Sequence, residues 1–274
     1  MFDTIRWEEK EILKASEKRS LKIEAVDTKS ISLDLAQDYY SEKIALQRCV
    51  SYFRGLHLSS ALESLGCRVI NSFNASLICG NKLFITLKLM ENHIPTPRTY
   101  VAFDREGLDK IVGKIGFPFV IKPVVGSWGR LSALLKDKES LDAVVEHREY
   151  MFPLYQIYYI QEYVEKPNRD IRTFVIGDRT VAAIYRVSAG DWRTNTARGG
   201  KALPCEITGE LDELSLKAAK AVGGDFVGVD IMETKNGFVV HEVNSTTEFK
   251  NTVPATGVDI PSLVVEYLSS MVRK

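Results

Sequence analysis

The sequence predicts a protein of the α/β class, because helical and strand-like patterns alternate and several helices end at glycine or proline. Residues 7–18 have the pattern of a charged helix, and residues 22–26 then read as a strand. A second helical stretch ends at Gly66 and precedes a short strand at residues 68–70. This alternation is typical of a parallel sheet covered by helices.

The middle of the chain predicts a small α+β unit. A helix over residues 81–92 should end ahead of Pro95 and Pro97, since proline cannot continue a helix. Strand-like apolar runs follow at residues 119–124 and 158–164, with a helical pattern between them. We expect this unit to form a small lid.

The last third predicts a sheet of longer strands. Strands are expected at residues 170–177 and 180–187, joined by a turn at Gly177. A helix over residues 211–222 ends at a pair of glycines. The remaining elements are a hairpin of VGVDIMET and FVVHEVN that turns at residues 235–237, and a final amphipathic helix from Pro261.

Composition excludes several classes of function. The chain of 274 residues carries 36 Lys and Arg and 36 Asp and Glu, so bulk charge favours neither nucleic acid nor an anionic membrane as a partner. No apolar stretch approaches the roughly 20 residues of a membrane span. The four cysteines lie far apart without a Cys-x-x-Cys pair. We therefore expect reduced thiols in a cytoplasmic protein, rather than disulfides or a zinc site.

Residues 119–130 read FVIKPVVGSWGR and place a lysine inside an apolar strand, ahead of a glycine loop. Because an unpaired ammonium in an apolar layer is costly, Lys122 must reach either the surface or an anion. Gly126 and Gly129 allow a backbone to approach a ligand and turn its amide groups toward a phosphate. The alternative is an edge strand with a solvated lysine and an ordinary turn. A Walker A loop is excluded, because there the lysine follows the glycines.

The hairpin near the end of the chain carries candidate metal ligands. Because strand side chains alternate between faces, Val240, Glu242 and Asn244 are predicted to share one face. If Asp230 on the partner strand projects to that face, three oxygen ligands converge and suit magnesium shared with nucleotide phosphates. The alternative is a hairpin with a polar, solvated face. His241 is predicted to lie on the opposite face as a structural residue.

Five segments occur in order along the chain: GSWGRL, QEYVEKPNRDIR, RTNTARGG, EVNSTTEFKN and TGVDIP. With these segments the sequence resembles the ATP-grasp superfamily and its RimK-like ligases. Within those it is most similar to ligases that attach alpha-aminoadipate or glutamate to an amino-group carrier protein. The resemblance runs from about Asp3 to the end of the chain. It implies an ATP-grasp fold with a pre-ATP-grasp α/β domain over residues 1–78, a central lid subdomain over 79–165 and a C-terminal subdomain over 166–274.

The beginning of the sequence departs from the family pattern. Relatives have a full strand ahead of the segment that starts here at Asp3, whereas only Met1 and Phe2 precede it. We therefore expect either an upstream start or an N-terminal sheet with an unpaired strand edge and a tendency to associate. The resemblance also implies a homo-oligomer.

The resemblance implies ATP and Mg²⁺ as cofactors and assigns residues to each. The residues implied to bind phosphate are Lys82 and Lys122, beneath a loop of Gly126, Ser127, Trp128, Gly129 and Arg130. The residues implied to bind adenine and ribose are Glu162 and Tyr163, through the hinge backbone, and Asp170. Those implied to lie by phosphate and the acyl intermediate are Arg193 and Asn195, with Arg198 a further cation. The implied magnesium ligands are Asp230, Glu242 and Asn244.

The implied reaction forms an amide through an acyl phosphate, with release of ADP and phosphate. The implied partner is a small acidic carrier protein, whose C-terminal glutamate receives the amino group of alpha-aminoadipate in lysine biosynthesis or of glutamate in arginine biosynthesis. Asn251 and Thr252 stand where arginine-pathway relatives carry Gly-Phe, so we favour alpha-aminoadipate. The alternatives are a RimK-like glutamate ligase for another protein or cofactor, and a nucleotide-binding regulatory protein without catalysis.

Overall fold

The computed structural model describes residues 1–37, 39–188, 190, 192 and 200–272. Within these ranges the strands form sheets of two, five and four strands. A cleft is lined by residues from both of the larger sheets. None of the helices in the described ranges is long and apolar enough to cross a membrane.

The N-terminal region consists of three helices and a parallel pair of short strands. These elements are α1 (Trp7–Lys18), β1 (Ile44–Leu46), α2 (Tyr52–Ser64), β2 (Arg68–Ile70) and α3 (Phe73–Cys79). The predictions of α1 and β2 are confirmed. Glu9 fixes the start of α1, because its carboxylate accepts from the backbone N–H of Arg6 at 2.8 Å.

The predicted strand at residues 22–26 is wrong. In its place, Ile44–Leu46 pairs with β2, and the Met1 ammonium donates to the Leu46 carbonyl at 2.9 Å. Phe2 forms a single parallel bridge with Asp27, beyond the predicted strand. Residues 21–26 line an open cavity of about 860 Å³ beside β1. An extended, alternating segment can lie along a groove as well as in a sheet, and the pattern alone does not separate the two.

The central region is a four-stranded antiparallel sheet packed against helices. Its elements are α4 (Lys82–Glu91), β3 (Thr99–Ala102), α5 (Arg105–Ile115), β4 (Phe119–Lys122), β5 (Ala133–Leu135), α6 (Lys138–Glu149) and β6 (Tyr158–Glu162), with a 3₁₀ turn at Pro153–Gln156. The strand order is β3-β6-β4-β5. Leu108 of α5 and Leu141 of α6 pack against Phe119 and Ile160 of the sheet. The predicted helix at 81–92 and both predicted apolar strands are confirmed.

The C-terminal region is an antiparallel sheet of five strands in the order β11-β10-β7-β8-β9. Its elements are β7 (Arg169–Ile176), β8 (Arg179–Val187), β9 (Lys201–Pro204), α7 (Gly209–Val222), β10 (Phe226–Thr234), β11 (Gly237–Asn244), α8 (Thr252–Thr256) and α9 (Ile260–Val272). The predicted hairpin and final helix are confirmed.

Both faces of the five-stranded sheet are covered by apolar side chains. Ile171 and Val175 face a core that includes α4 and α7, while Phe174 and Ile176 face a core that includes α1 and α9. Strands buried on two faces carry little polar surface, so the polar residues that do occur in this sheet mark a site.

Candidate active site

Lys82, the first residue of α4, ties the glycine loop to the hairpin. The Asn81 side chain caps this helix by accepting from the backbone N–H of Leu83 at 2.9 Å. The Lys82 ammonium donates to the Gly126 carbonyl at 2.6 Å and lies 3.2 Å from Glu242 Oε1. The loop, the helix and β11 therefore meet at one cation.

The glycine loop, residues 126–130, lines the cleft and contains left-handed backbone, a conformation that glycine favours. Gly129 has a φ of 65°, and Trp128 beside it also adopts a left-handed φ, of 58°. The Arg130 guanidinium lies 4.8 Å from the centre of the Trp128 ring. The structure thus brings the five predicted loop residues to the same cleft as Lys82 and Lys122.

Lys122 ends β4, which is an inner strand of its sheet. Its ammonium is buried and donates to Gln161 Oε1 at 2.6 Å. Gln161 in turn donates to the Tyr159 hydroxyl at 3.1 Å. Burial lowers the pKa of Lys122 to about 8, and the nearby Glu242 carboxylate only partly opposes that shift. The alternative of a solvated lysine on an edge strand is therefore wrong.

The predicted hinge lies where β6 ends in the cleft. Glu162 is held by Arg98 through two contacts: its backbone N–H donates to the Arg98 carbonyl at 2.9 Å, and its carboxylate accepts from the Arg98 N–H at 2.8 Å. Tyr163 follows and is partly exposed. Both residues line the cleft with the glycine loop.

Two aspartates and two arginines form a chain of buried ion pairs across the five-stranded sheet. Arg186 on β8 donates to both oxygens of Asp170 at 2.7 and 2.8 Å, and its Nη2 also lies 3.1 Å from Asp230. Arg172 donates to both oxygens of Asp230 at 2.6 and 2.7 Å. The sheet register creates these contacts, because Arg172 lies opposite Asp230 and Arg186 lies opposite Asp170.

The arginines set the charge state of Asp230. Burial alone would raise the pKa of this carboxyl, but Arg172 and Arg186 hold it well below its usual range. Asp230 is therefore an anion in the folded protein. Sequence reasoning missed both arginines. Arg172 could have been found, since it shares a strand face with Asp170, whereas Arg186 becomes visible only with the register of β8.

Glu242 and Asn244 share a cavity as predicted, but Val240 does not join them, because the hairpin contains a β-bulge. Asp230 pairs with Glu242 and Ile231 pairs with Val240, so no residue of β10 lies opposite His241. Val240 consequently packs in the core, together with Val243. The bulge leaves His241 and Glu242 lining the same cleft. The expectation that His241 lies away from the site is therefore wrong.

His241 is in an unusual position for a polar side chain. Its Nε2 atom is buried without a hydrogen-bond partner among the described residues. Burial lowers the pKa of His241 well below its usual value, and the neighbouring Lys122 lowers it further. Strand alternation could not predict this position, because a bulge depends on how the two strands pair.

The structure brings the three predicted magnesium ligands to one cavity of about 210 Å³ under the glycine loop. Asn244 Nδ2 lies 3.5 Å from Asp230 Oδ2. Two carboxylates and one amide offer oxygen atoms, which are the ligands that Mg²⁺ prefers. The contacts to Arg172 and Arg186 occupy three of the roughly four lone pairs of Asp230 and leave room for a further contact at Oδ1.

The positive charge around these candidate ligands suits a metal ion that binds together with phosphate. Lys82 contacts Glu242, and two arginines contact Asp230. Across the described ranges, no three His, Cys, Asp or Glu side chains form a group that could hold a metal ion. The donor set therefore suits Mg²⁺ whose remaining positions are filled by oxygens of a bound nucleotide.

Asn251 and Thr252 lie at the start of α8, beside a separate cavity of about 270 Å³. Thr252 is buried and Asn251 is exposed. Glu8 holds the preceding turn by accepting from the backbone N–H groups of Phe249 at 3.1 Å and Lys250 at 3.0 Å. The cationic side chains that line this cavity are Arg6, Arg172, Arg186 and Lys250.

The cationic cavity adjoins the ligand cluster, because Arg172 and Arg186 line both. A small anion bound there would lie next to the predicted phosphate site. The predicted residues Arg193, Asn195 and Arg198 lie outside the described residues.

Comparisons with known proteins show the family of the chain. Residues 80–268 match the family model of the RimK-like ATP-grasp domain, and residues 1–77 match that of the LysX preATP-grasp domain. The chain is 42% identical to an alpha-aminoadipate--LysW ligase LysX of Saccharolobus solfataricus, over 98% of this chain and 99% of that protein. It is 35% identical to a glutamate--LysW ligase ArgX of Sulfolobus acidocaldarius, over 98% of this chain and 97% of that protein.

The fold is also found among solved structures. The crystal structure of a RimK domain ATP-grasp protein from Sphaerobacter thermophilus superposes with a TM-score of 0.80. It covers 97% of this chain and 96% of that chain at 23% identity. At this identity the likeness shows the fold alone.

Proposed function

Because the chain belongs to the RimK-like ATP-grasp family, we propose that this ATP-dependent ligase joins the amino group of alpha-aminoadipate to the C-terminal glutamate of a small acidic carrier protein in lysine biosynthesis. The observation that carries the proposal is that two adjoining cavities share Glu242 and the glycine loop. Lys82 and Lys122 line the first cavity, and Asp230 and Asn244 line the second. Phosphoryl transfer requires cationic side chains that bind phosphate and, beside them, oxygen atoms that bind a metal ion.

In the first step, a carboxylate oxygen of the carrier attacks the γ-phosphorus of ATP, the bond from that phosphorus to the bridging oxygen of ADP breaks, and ADP leaves as the acyl phosphate forms. Lys82 and Lys122 hold the phosphates, and the loop at Gly126 covers them. Asp230, Glu242 and Asn244 would hold Mg²⁺, which draws charge off the transferring phosphoryl group. No protein nucleophile takes part, which agrees with the lack of a nucleophile and base pair among our candidate residues.

In the second step, the substrate amine attacks the acyl carbon, phosphate leaves and an amide forms. The tetrahedral intermediate carries a negative oxygen that a nearby cation stabilises. We propose Arg193 and Arg198 for this role and Asn195 for a contact to phosphate. Asp170 and the hinge at Glu162 and Tyr163 are proposed to position the ribose and adenine.

We propose that the cavity at Asn251 and Thr252 receives the amino acid. Its four cations outnumber the two glutamates that also line it, Glu8 and Glu248, and this excess of positive charge suits a substrate with two carboxylates. The two small polar side chains leave room for the longer side chain of alpha-aminoadipate. In support, the LysX relatives are 37% to 42% identical to this chain and the ArgX relatives 34% to 35%. Glutamate is the second candidate, because a pocket sized for the longer acid still admits the shorter one.

The cleanest test mixes the enzyme, Mg²⁺-ATP, the carrier protein and each amino acid, and reads the mass of the carrier. We expect the carrier to gain one alpha-aminoadipyl group with release of ADP. A carrier without its terminal glutamate is the control and should stay unmodified. Absence of ADP release with every carrier and amine pair would favour a nucleotide-binding protein without catalysis.

We further propose a cytoplasmic location and a homo-oligomeric state. All four cysteines are free in the structure, which agrees with a reducing compartment.

A further inference from the structure

We propose that His241 binds the nucleotide directly, with its Nε2 atom hydrogen-bonded to the sugar or phosphate part of ATP. This assignment rests on the proposed function, since it requires ATP in the cleft. It adds a nucleotide contact outside the lysines, the glycine loop and the hinge.

The first support is the bulge in β11. In a regular strand, His241 would share a face with Val243 and point into the apolar core. The register shift gives that core position to Val240 and moves His241 to the cleft. Bulges commonly re-aim a side chain beside an active site.

The second support is the unsatisfied Nε2 atom. It is buried, yet it has no hydrogen-bond partner among the described residues. A buried polar atom without a partner destabilises the protein, because it has lost its hydrogen bonds to water. A ligand that supplied the partner would remove that cost when it bound.

The third support is the set of residues that surround the imidazole. Lys122, Asp170 and Glu162 line the same cleft and are the proposed contacts to phosphate, ribose and adenine. The imidazole is thus among groups proposed to surround the sugar and phosphates. An imidazole can donate to a phosphate oxygen or exchange a hydrogen bond with a ribose hydroxyl.

The test measures ADP and ATP affinity by calorimetry in the presence of Mg²⁺, for wild type and two variants. His241→Leu removes the polar atom, and we expect the Kd for ADP to rise about three- to tenfold. His241→Gln keeps a polar group near Nε2, and we expect affinity close to that of wild type. His57→Leu is the matched control, because His57 is exposed on α2 outside the cleft. It should leave the Kd unchanged.

Altered ligands identify the contacted atom without any change to the protein. If Nε2 contacts the ribose, wild type should bind 2′-deoxy-ADP or 3′-deoxy-ADP more weakly than ADP. His241→Leu should bind that deoxy analogue and ADP with the same affinity. If Nε2 contacts a phosphate, His241→Leu should weaken ADP binding but leave adenosine binding unchanged. Either pattern supports the assignment.

The outcomes also separate this assignment from the proposed function. Equal Kd values for wild type and His241→Leu, with every ligand, would overturn the assignment and leave the ligase intact. A structural role alone predicts a lower Tm for both variants without nucleotide and an unchanged affinity, which also overturns it. A wild type that binds no nucleotide would contradict the proposed function itself.

Discussion

Arg186 connects two acids to which sequence reasoning gave different tasks. Its guanidinium lies between Asp170, the predicted ribose contact, and Asp230, a predicted magnesium ligand. All three side chains are buried, so their charges are compensated chiefly by one another and by Arg172. The acids of the site therefore depend on a structural ion-pair network before any ligand binds.

Replacing Arg186 by methionine should destabilise the protein strongly. The change would leave Asp170 without its bidentate partner and Asp230 with one arginine instead of two. We expect a loss of about 3–5 kcal/mol in the free energy of unfolding, measured by urea denaturation. The control is Arg179→Met, whose exposed contact to Glu266 spans 3.9 Å. A loss no larger than that of the control would contradict the role given to Arg186.

The same network predicts how stability depends on pH. The pKa of Asp230 is lower in the folded protein than the value of about 3.9 in an unfolded chain. Its contribution to stability is therefore fully present above pH 4 or so and is lost as the pH falls further. Arg172→Met should weaken this acid sensitivity, because the folded pKa of Asp230 would move back up. Parallel pH profiles for wild type and variant would contradict this reasoning.

Lys122 should make nucleotide affinity depend on pH near neutrality. Its pKa of about 8 means that this ammonium, which we propose binds phosphate, loses its proton progressively as the pH rises from 7 to 9. We expect the Kd for ADP to rise as the pH increases from 7 to 9. Lys122→Met should bind more weakly and without that rise, while the exposed Lys136→Met should behave as wild type. A rise of equal size in Lys122→Met would assign the pH effect to another group.

At the scale of elements, the glycine loop depends on α4. Lys82, the first residue of α4, donates from its ammonium to the Gly126 carbonyl at 2.6 Å, and the same ammonium lies 3.2 Å from Glu242. Lys82→Met should therefore loosen the loop, and hydrogen exchange of the amides at residues 126–130 should become faster. Lys88→Met on the same helix removes only an exposed pair with Glu91 and is the matched control. Equal exchange in the two variants would show that Lys82 does not hold the loop.

The start of α8 provides the test of substrate choice. Asn251→Gly with Thr252→Phe places a phenyl ring beside the cavity of about 270 Å³ and shortens it. We expect the ratio of kcat/KM for alpha-aminoadipate to that for glutamate to fall at least tenfold, or roughly 1.4 kcal/mol. An unchanged ratio would show that Asn251 and Thr252 do not select the longer substrate. A wild type that prefers glutamate by more than about tenfold would defeat the assignment of alpha-aminoadipate.

The elements differ in how well the sequence predicts them. Helix α1, the hairpin and α9 are predictable, because each has a strong periodic pattern and a recognisable end. The strand at residues 22–26 and the face of His241 are not. Whether an extended segment pairs depends on a neighbour far away in sequence, and a bulge depends on the register between two strands. The lysines and acids of the site were visible as motifs, whereas the partner of Asp170 on β8 required the fold.

The positive and negative charges of the protein balance in number but are unevenly distributed in space. The chain has a formal net charge of zero. Yet the four cations Lys82, Lys122, Arg172 and Arg186 gather near three acids, Asp170, Asp230 and Glu242. The cleft is consequently cationic, and it attracts an anion although the molecule as a whole does not.

This clustering of cations around the proposed magnesium ligands has a consequence for how nucleotide and metal bind together. A lone Mg²⁺ ion would meet carboxylates that are already compensated by ammonium and guanidinium groups, whereas a triphosphate would reverse the local charge. Nucleotide and metal should therefore show positive heterotropic linkage, each raising the affinity for the other by the same factor. Calorimetric titration of Mg²⁺ should show at least tenfold weaker binding to the protein alone than to the protein saturated with ADP, after correction for Mg²⁺ binding to ADP itself. Equal Mg²⁺ affinity in the two titrations would mean that Asp230 and Glu242 bind the ion independently of the nucleotide. Metal and nucleotide would then bind in random order.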